Sequence, residues 1–291
     1  FSNGSQLVYG YDFSYSQQDG GNTFSPIAQQ VILDNQGYGY QGSIVSDQQS
    51  VQLRNHAFYL LSRIHLGQRW ELSLGARRQI QDFGSFDQNK SGGIQSASGS
   101  FAANAHETAL NYKFNDVSRA YVRVNQSYRF ANTDEYWGFN AYGNRVFSGE
   151  LQPQISKAYE LGYDFKTKGQ RLGLMLAHSV TQNEIRYNPS LYRNSNLDDD
   201  VSRTSVTANW KAQVLSSSQL SLGARWQRAE YQTGTYTGQT LGLVPKAIYN
   251  LGWTQAVNDK NLAGLQVTHV GSQNYEASPE KVASLDKMPA Y

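Results

Sequence analysis

Apolar and polar residues alternate along most of the chain with a period of two. In the first such stretch, one face collects apolar residues: Leu7, Tyr9, Tyr11, Phe13 and Tyr15. Successive side chains of a β-strand point to opposite faces, so this pattern predicts strands with one apolar and one polar face. About eleven strands of this kind are predicted, near residues 6–16, 54–66, 70–83, 101–114, 118–130, 156–167, 171–187, 203–214, 218–231, 246–257 and 261–272. No stretch predicts a helix.

Short and long connections between these strands alternate strictly. Short turns fall at 67–68, 115–117, 168–170, 215–217 and 258–260, and long polar connections at about 17–50, 84–100, 131–155, 188–202, 232–245 and 273–287. Antiparallel barrels of the bacterial outer membrane sort their connections in this way, with short periplasmic turns and long extracellular loops. The spacing therefore predicts an all-β, antiparallel transmembrane β-barrel.

Composition agrees with a membrane barrel and argues against a soluble β-protein and against a nucleic-acid-binding protein. Only 16% of the 291 residues are charged, the formal net charge is +2 and cysteine is absent. A soluble β-protein would carry more charge on its surface, and the small net charge gives no reason to expect nucleic acid. Aromatic residues lie close to the short turns, as in an interfacial girdle: Trp70, Phe114, Phe165 and Trp253.

The strand number indicates an incomplete barrel. Bacterial single-chain barrels have an even number of strands, whereas about eleven are predicted here, and residues 287–291 look like the start of another. An open sheet in lipid would leave two unpaired edges, which hydrocarbon does not tolerate. We therefore expect residues 1–291 to be part of a larger closed barrel.

Six short motifs follow one another along the chain between residues 100 and 291. They are Gln126–Asn132 (QSYRFAN), Leu151–Gly162 (LQPQISKAYELG), Asn183–Pro189 (NEIRYNP), Asn196–Arg203 (NLDDDVSR), Leu243–Lys246 (LVPK) and Val270–Ser272 (VGS). The second is similar to L-K-P-E-x-S-x-x-Y-E-x-G, a strand start in the barrels of TonB-dependent outer-membrane receptors, but has Gln152 and Gln154 where Lys and Glu are common. The chain resembles this family through its structural motif residues: Leu151, Pro153, Ser156, Glu160, Gly162, Asn183, Tyr187, Pro189 and Pro245.

The resemblance implies a fold, a location and a function. The family's barrel has about 22 strands and is closed by an N-terminal plug domain, so this chain is expected to be a partial barrel without the plug and the last strands. Such receptors lie in the outer membrane of Gram-negative bacteria, among lipid and lipopolysaccharide. Through the plug they engage the TonB–ExbB–ExbD system and take up scarce nutrients. We expect a ferric siderophore as cargo, with cobalamin as an alternative, and neither a cofactor nor an enzymatic activity.

Two other functions compete with this interpretation. A passive diffusion porin shares the alternation and the loop asymmetry, but has about 16–18 strands and lacks the ordered motifs. A structural or adhesive barrel would use its loops to bind a surface partner. An upstream plug domain with a TonB-binding segment would separate these possibilities.

The candidate ligand residues are aromatic and lie in the predicted extracellular loops, beside one cation. They are Tyr38, Tyr40, Tyr136, Trp137, Phe139, Tyr142 and Arg145. Flat aromatic faces with a cation suit a bulky, anionic iron chelate, although the same residues could instead pack the loops together. A second set of polar residues is predicted to face the barrel interior and the plug: Asp12, Arg77, Glu107, Arg123, Asn125, Glu160 and Asp164.

No metal or catalytic site is predicted. The five histidines lie on separate strands and none pairs at a metal-ligand spacing. The acidic run Asp198–Asp200 offers oxygen ligands of the kind that divalent cations prefer, but a solvated loop is the simpler interpretation. No phosphate-binding loop or nucleophile motif is present.

Overall fold

The alternating segments form one large antiparallel sheet. A computed structural model describes residues 4–24, 44–89, 93–139, 145–275 and 287–291. The strands are β1 (Gln6–Phe24), β2 (Ile44–Leu66), β3 (Trp70–Asn89), β4 (Gly93–Lys113), β5 (Ser118–Arg129), β6 (Trp137–Phe139), β7 (Arg145–Phe147), β8 (Gln154–Lys166), β9 (Gln170–Gln182), β10 (Ile185–Asn188), β11 (Arg193–Asn196), β12 (Val201–Leu215), β13 (Ser218–Tyr231), β14 (Ala247–Asn258) and β15 (Asn261–Val270).

Eleven of these strands pair in the order β1-β2-β3-β4-β5-β8-β9-β12-β13-β14-β15. Every neighbouring pair is antiparallel, so the chain runs up and down along the sheet. The remaining strands form two small hairpins, β6–β7 and β10–β11, within two of the long connections. The prediction of an antiparallel all-β fold with eleven sheet strands is confirmed.

The two faces of the sheet differ as the alternation predicts. On the apolar face every second side chain along a strand points outward and many of these side chains are exposed, with Tyr9 at 78% and Phe58 at 63%. Near the short turns this face carries a line of touching rings: Trp70–Tyr112 at 4.5 Å, Tyr112–Phe114 at 5.0 Å and Phe114–Tyr163 at 6.4 Å between centroids. Among the described residues no helix is long and apolar enough to cross a membrane.

The strands extend into two of the predicted long connections, which corrects the bounds expected for 17–50 and 84–100. The β1–β2 ladder continues through Phe24↔Ile44, and the β3–β4 ladder reaches Asn89↔Gly93. Residues 84–100 are rich in Gly and Ser, which is typical of a loop, but small side chains do not prevent the ladder from continuing. Gly99 is required here, because a Cβ would lie 2.6 Å from the Phe83 ring.

One predicted strand ends earlier than expected. β9 stops at Gln182 rather than continuing to 187. Asn183 follows with φ +53°, a left-handed conformation that Asn tolerates better than most residues. The break redirects the chain into the β10–β11 hairpin and places Ile185 in a buried position.

Candidate functional site: the polar face and the loops over it

Ion pairs cross the polar face of the sheet. Arg77 on β3 reaches Asp12 on β1 at 2.5 Å, past the intervening strand β2. Arg123 contacts Glu160 at 2.5 Å and Glu107 at 3.4 Å, tying β8 and β4 to β5. The side chains are between one-eighth and one-half exposed, so each pair contributes modestly to stability but holds its charges in fixed positions.

A chain of hydrogen bonds joins these ion pairs to the long-loop end of the sheet. It runs through Asp12, Arg77, Tyr128, Gln79, Asn55 and Gln81. Within it, Arg77 Nε donates to the Tyr128 hydroxyl at 3.0 Å, which donates to Gln79 Oε1 at 3.0 Å. At its end the Tyr136 hydroxyl lies 3.5 Å from Gln81 Oε1. The chain therefore connects the strands to the third long loop.

The third long loop folds onto the polar face and buries an apolar cluster there. This mouth cluster consists of Val51, Leu53, Phe83, Ala131, Tyr136, Leu151 and Ile185. Its centre is Tyr136, which is 0% exposed and stacks on Phe83 at 4.9 Å and on Phe147 at 6.2 Å. Burial raises the pKa of the Tyr136 hydroxyl above its ordinary value, so the ring stays neutral.

A short turn and one cation fix the position of Tyr136. Residues Thr133–Tyr136 form a single 3₁₀ turn. The Glu135 carboxylate accepts a hydrogen bond from the Asn132 backbone N–H at 2.8 Å and pairs with Arg129 at 2.7 Å. Arg129 also donates to the Ile185 carbonyl at 3.2 Å. The third loop, the end of β5 and the start of β10 thus share one charged group.

The third and fourth long loops are joined by the side chain of Asn196. Its Oδ1 accepts the Gln152 backbone N–H at 2.8 Å, while its Nδ2 donates to the Gln152 carbonyl at 2.9 Å and the Asn183 carbonyl at 2.8 Å. An amide side chain can pair with both groups of a backbone in this way because it carries the same donor and acceptor. The two loops are therefore hydrogen-bonded to each other.

The fifth long loop packs beside the fourth. Its apolar cluster contains Val201, Ala229, Tyr231 and Leu241. The neighbouring Glu184 is buried and forms a two-bond contact with Arg203 Nη2, at 2.8 and 2.9 Å. This ion pair links the fourth loop to strand β12.

The predicted ligand residues divide into three groups. Tyr136 is buried, so its ring packs the third loop against the sheet and faces no open surface. Trp137 is half-buried and packs edge-on against Phe147 at 5.5 Å. For Phe139 and Arg145 the structure describes the backbone, which pairs them across the β6–β7 hairpin.

Three further ligand candidates, Tyr38, Tyr40 and Tyr142, lie outside the described residues. The residues that position the third loop were not singled out as functional from the sequence. Arg129 and Asn196 lie within the quoted motifs, but their partners sit in other motifs and on other loops. Nothing in the sequence pairs them.

The motif residues occupy structural positions. Leu151 and Pro153 are buried, and the Ser156 hydroxyl accepts from Thr181 at 3.1 Å. Gly162 lies against the Tyr121 ring, where a Cβ would collide with it. The Pro245 carbonyl accepts from Gln227 Nε2 at 2.8 Å.

The exposed motif residues Tyr187 and Pro189 belong to the β10–β11 hairpin and its turn. The acidic run contacts the fifth long loop. Asp199 is buried beside Gly234, and the Asp200 N–H donates to the Thr233 hydroxyl at 2.8 Å. Within the described ranges no group of three or more His, Asp or Glu side chains could hold a metal ion.

At the short-turn end the polar face borders a cavity of about 970 Å³. Its lining extends from His65 on β2 to Asn250 on β14, so the sheet curves around this space. The mouth cluster lies towards the opposite ends of the same strands, at Leu53 on β2 and Phe83 on β3. The polar face is thus covered at one end and open at the other.

An exposed apolar face, a hydrogen-bonded polar face and long loops folded over that face define the wall of a membrane β-barrel. Sequence comparison makes the family explicit: the model of the TonB dependent receptor-like beta-barrel matches residues 1–291. The chain belongs to this family. Its members are outer-membrane transporters of Gram-negative bacteria and not enzymes; they interact with TonB and include receptors for ferric siderophores.

Solved structures share the fold. The ferric yersiniabactin uptake receptor FyuA of Yersinia pestis superposes with a TM-score of 0.74 at 15% identity, over 100% of this chain and 43% of that one. The siderophore receptor PiuA of Acinetobacter baumannii gives 0.72 at 15% identity, over 100% and 46%. The copper transporter OprC gives 0.71 at 12% identity, over 99% and 44%. The chain spans less than half the length of these proteins, and comparison with curated proteins finds no match.

Proposed function

We propose that this chain forms part of the wall of an outer-membrane TonB-dependent receptor that imports a ferric siderophore. The observation that carries the proposal is the family match over residues 1–291. The names of similar structures support the cargo, since they include receptors for ferric yersiniabactin, ferric citrate and ferric catecholates. The match also favours an active receptor over a passive porin.

In this function the protein binds and gates without making or breaking a covalent bond. The cargo would contact the extracellular loops through Trp137, Phe139 and Arg145, together with the aromatic candidates Tyr38, Tyr40 and Tyr142. Tyr136 has a different part, because its buried ring holds the third loop in place. The ion pairs of the polar face, such as Arg123–Glu160, would line the space that a plug domain occupies.

The full-length receptor in an iron-limited Gram-negative host tests the proposal. We expect radiolabelled ferric siderophore to enter cells that carry the receptor and an intact TonB system, and to stay outside cells that lack TonB. Trp137→Ala should weaken cargo binding about tenfold, as loss of one aromatic contact does. Tyr187→Ala, an exposed aromatic on a neighbouring hairpin, is the matched control.

A second cargo follows from the comparison with the copper transporter OprC, whose TM-score is almost as high. The same cells therefore receive copper and cobalamin in parallel. TonB-dependent uptake of copper or cobalamin, without uptake of iron, would change the proposed cargo but leave the proposed receptor function in place. Uptake that does not depend on TonB would contradict the proposed function itself.

A further inference from the structure

Negative charge is concentrated in the long connections of the chain. The six stretches predicted as long connections hold 13 of the 23 Asp and Glu residues but only 5 of the 25 Lys and Arg residues. The chain as a whole nevertheless carries a formal net charge of +2. The long connections therefore carry an excess of acidic residues in a protein that is slightly basic overall.

The arginines of the third and fourth long loops are engaged by the chain itself. Glu184 alone holds two of them, Arg203 at 2.8 Å and Arg186 at 3.7 Å. Arg193 Nη1 donates to the Phe147 carbonyl at 3.3 Å. Four arginines of these loops and of the adjoining strand ends have described side chains, and each is bonded to an acceptor of the chain: Arg129, Arg186, Arg193 and Arg203. An anionic ligand would have to compete with these acceptors.

Three carboxylates of the same two loops have no such partner. Asp134, Glu150 and Asp198 are exposed, and none forms an ion pair with a residue that the structure describes. Glu150 and Asp198 each lie two residues from the contact between Gln152 and Asn196, within about 7 Å of it along the chain. We call these three residues the mouth carboxylates. Because carboxylates are ionised at neutral pH, they make the joined loops negative towards a ligand.

Two cations near the fifth loop have no carboxylate partner among the described residues, and both lie below the loops. Arg225 is six residues from Tyr231, the end of β13, which pairs with Val201 beside the fourth loop. The Lys246 carbonyl accepts from the Gln227 N–H at 2.9 Å, which places this lysine four residues below the same end. At about 3.3 Å per residue these separations are about 20 and 13 Å along the strand, whereas the Debye length at physiological ionic strength is about 8 Å. Salt therefore screens both cations from a ligand held at the loops.

We propose that the cargo of this receptor is an uncharged or cationic ferric chelate and not an anionic one. The inference rests on the proposed function, which makes these loops contact a ferric siderophore. Three hydroxamate groups cancel the charge of Fe(III), and a free amine makes such a chelate cationic, whereas three catecholates leave it strongly anionic. The mouth carboxylates attract a cationic chelate, tolerate an uncharged one and repel an anionic one. The inference replaces the anionic chelate that the loop aromatics and Arg145 suggested from the sequence.

A series of chelates that differ in one substituent tests the charge preference. Ferric complexes of a linear trihydroxamate are prepared with a terminal amine, its N-acetyl amide or its N-succinyl amide, so the net charge falls from positive to zero to negative. Binding of each complex to the full-length receptor in micelles is measured by quenching of tryptophan fluorescence. We expect the amine to bind about tenfold more tightly than the succinyl derivative at low salt, with the acetyl derivative between them. High salt should shrink this ratio.

Two variants locate the charges responsible. D134N/D198N removes two mouth carboxylates and should reduce the ratio to about threefold. The matched control, D116N/D259N, removes two exposed aspartates from the short turns and should leave the ratio as in the wild type. The uncharged acetyl derivative should bind equally to both variants, which shows that both fold. Equal ratios in the two variants would contradict a role for the mouth carboxylates.

The outcomes separate this inference from the proposed function. If the succinyl derivative or a ferric catecholate binds most tightly and enters cells in a TonB-dependent way, the receptor function stands and the charge inference falls. The charge inference also falls if none of the three derivatives binds. If the amine derivative binds most tightly but no chelate enters wild-type cells, the charge preference stands and the proposed import function falls.

Discussion

The polar face of the sheet differs between its long-loop end and its short-turn end. At the long-loop end, the chain's own third loop buries Tyr136 completely and pairs Glu135 with Arg129. At the short-turn end, Lys166 and Arg171 remain exposed and unpaired among the described residues, beside a cavity of about 970 Å³. The same strands contribute to both ends.

This difference shows which part of the wall is complete by itself. Apolar side chains and charges at the long-loop end meet their partners within the chain, so that end is expected to keep its arrangement in isolation. Like charges facing each other at the other end are unfavourable without a partner. At the short-turn end Lys166 and Arg171 lack such partners among the described residues, whereas Arg119 pairs there with Asp164 and Lys113 with Asp116.

Tyr136→Ala tests the packing of the long-loop end at its most buried side chain. The substitution removes the centre of the mouth cluster and should lower the free energy of unfolding by about 3 kcal/mol, because a large buried ring leaves a cavity. The third loop should also become a substrate for limited proteolysis. Denaturant unfolding of the full-length receptor in micelles measures the first effect. Tyr136→Phe keeps the stacked ring and should cost about 0.5 kcal/mol; equal losses in the two variants would contradict the packing role.

Gly162→Ala tests the strands between the two ends. A Cβ at this position meets the Tyr121 ring, so we expect a loss of about 2 kcal/mol from overpacking. The same unfolding measurement applies, with proteolysis of the third loop unchanged. Adding Tyr121→Ala makes room for the methyl group and should cancel most of the extra cost. Additive losses in the double variant would rule out the steric explanation.

Glu184→Gln sharpens the description of the long-loop end. Its carboxylate is 10% exposed while its partner Arg203 is 38% exposed, so solvent screening limits the loss to about 1–2 kcal/mol. Hydrogen exchange should increase in the fourth loop and not in strands β1–β4. Glu150→Gln, an exposed carboxylate without an ion pair among the described residues, serves as the control. A loss of the same size in the control would mean that net charge, and not the pairing, causes the effect.

Asp12→Asn is the smallest of the four changes and probes the open part of the polar face. Asp12 is 51% exposed and Arg77 35%, so we expect about 0.5 kcal/mol, shrinking as salt is added. Unfolding at low and high ionic strength measures it. A loss that is large and independent of salt would show that the chain of hydrogen bonds through Tyr128 depends on this one carboxylate.

The sheet could be predicted from the sequence because the period of two is a local signal. Every sheet strand contains its own alternation, as Leu7 to Tyr15 do in β1. The strand structure of residues 84–100 could not be predicted in this way, because their Gly- and Ser-rich composition is that of a loop. Their pairing continues the β3–β4 ladder that begins at Trp70 and Tyr112. Tyr136 was predicted to face a ligand, since it lies among other aromatic residues of the third loop. The sequence could not show its burial, because the ring that covers it, Phe83, belongs to a distant strand.

The amide of Asn196 couples the third and fourth loops at the level of the backbone. Opening the third loop away from the fourth would break its two hydrogen bonds to Gln152, whereas its bond to Asn183 lies within the fourth loop and would remain. A ligand that pulls on either loop therefore works against hydrogen bonds to the other, so binding at one loop is expected to be transmitted to its neighbour.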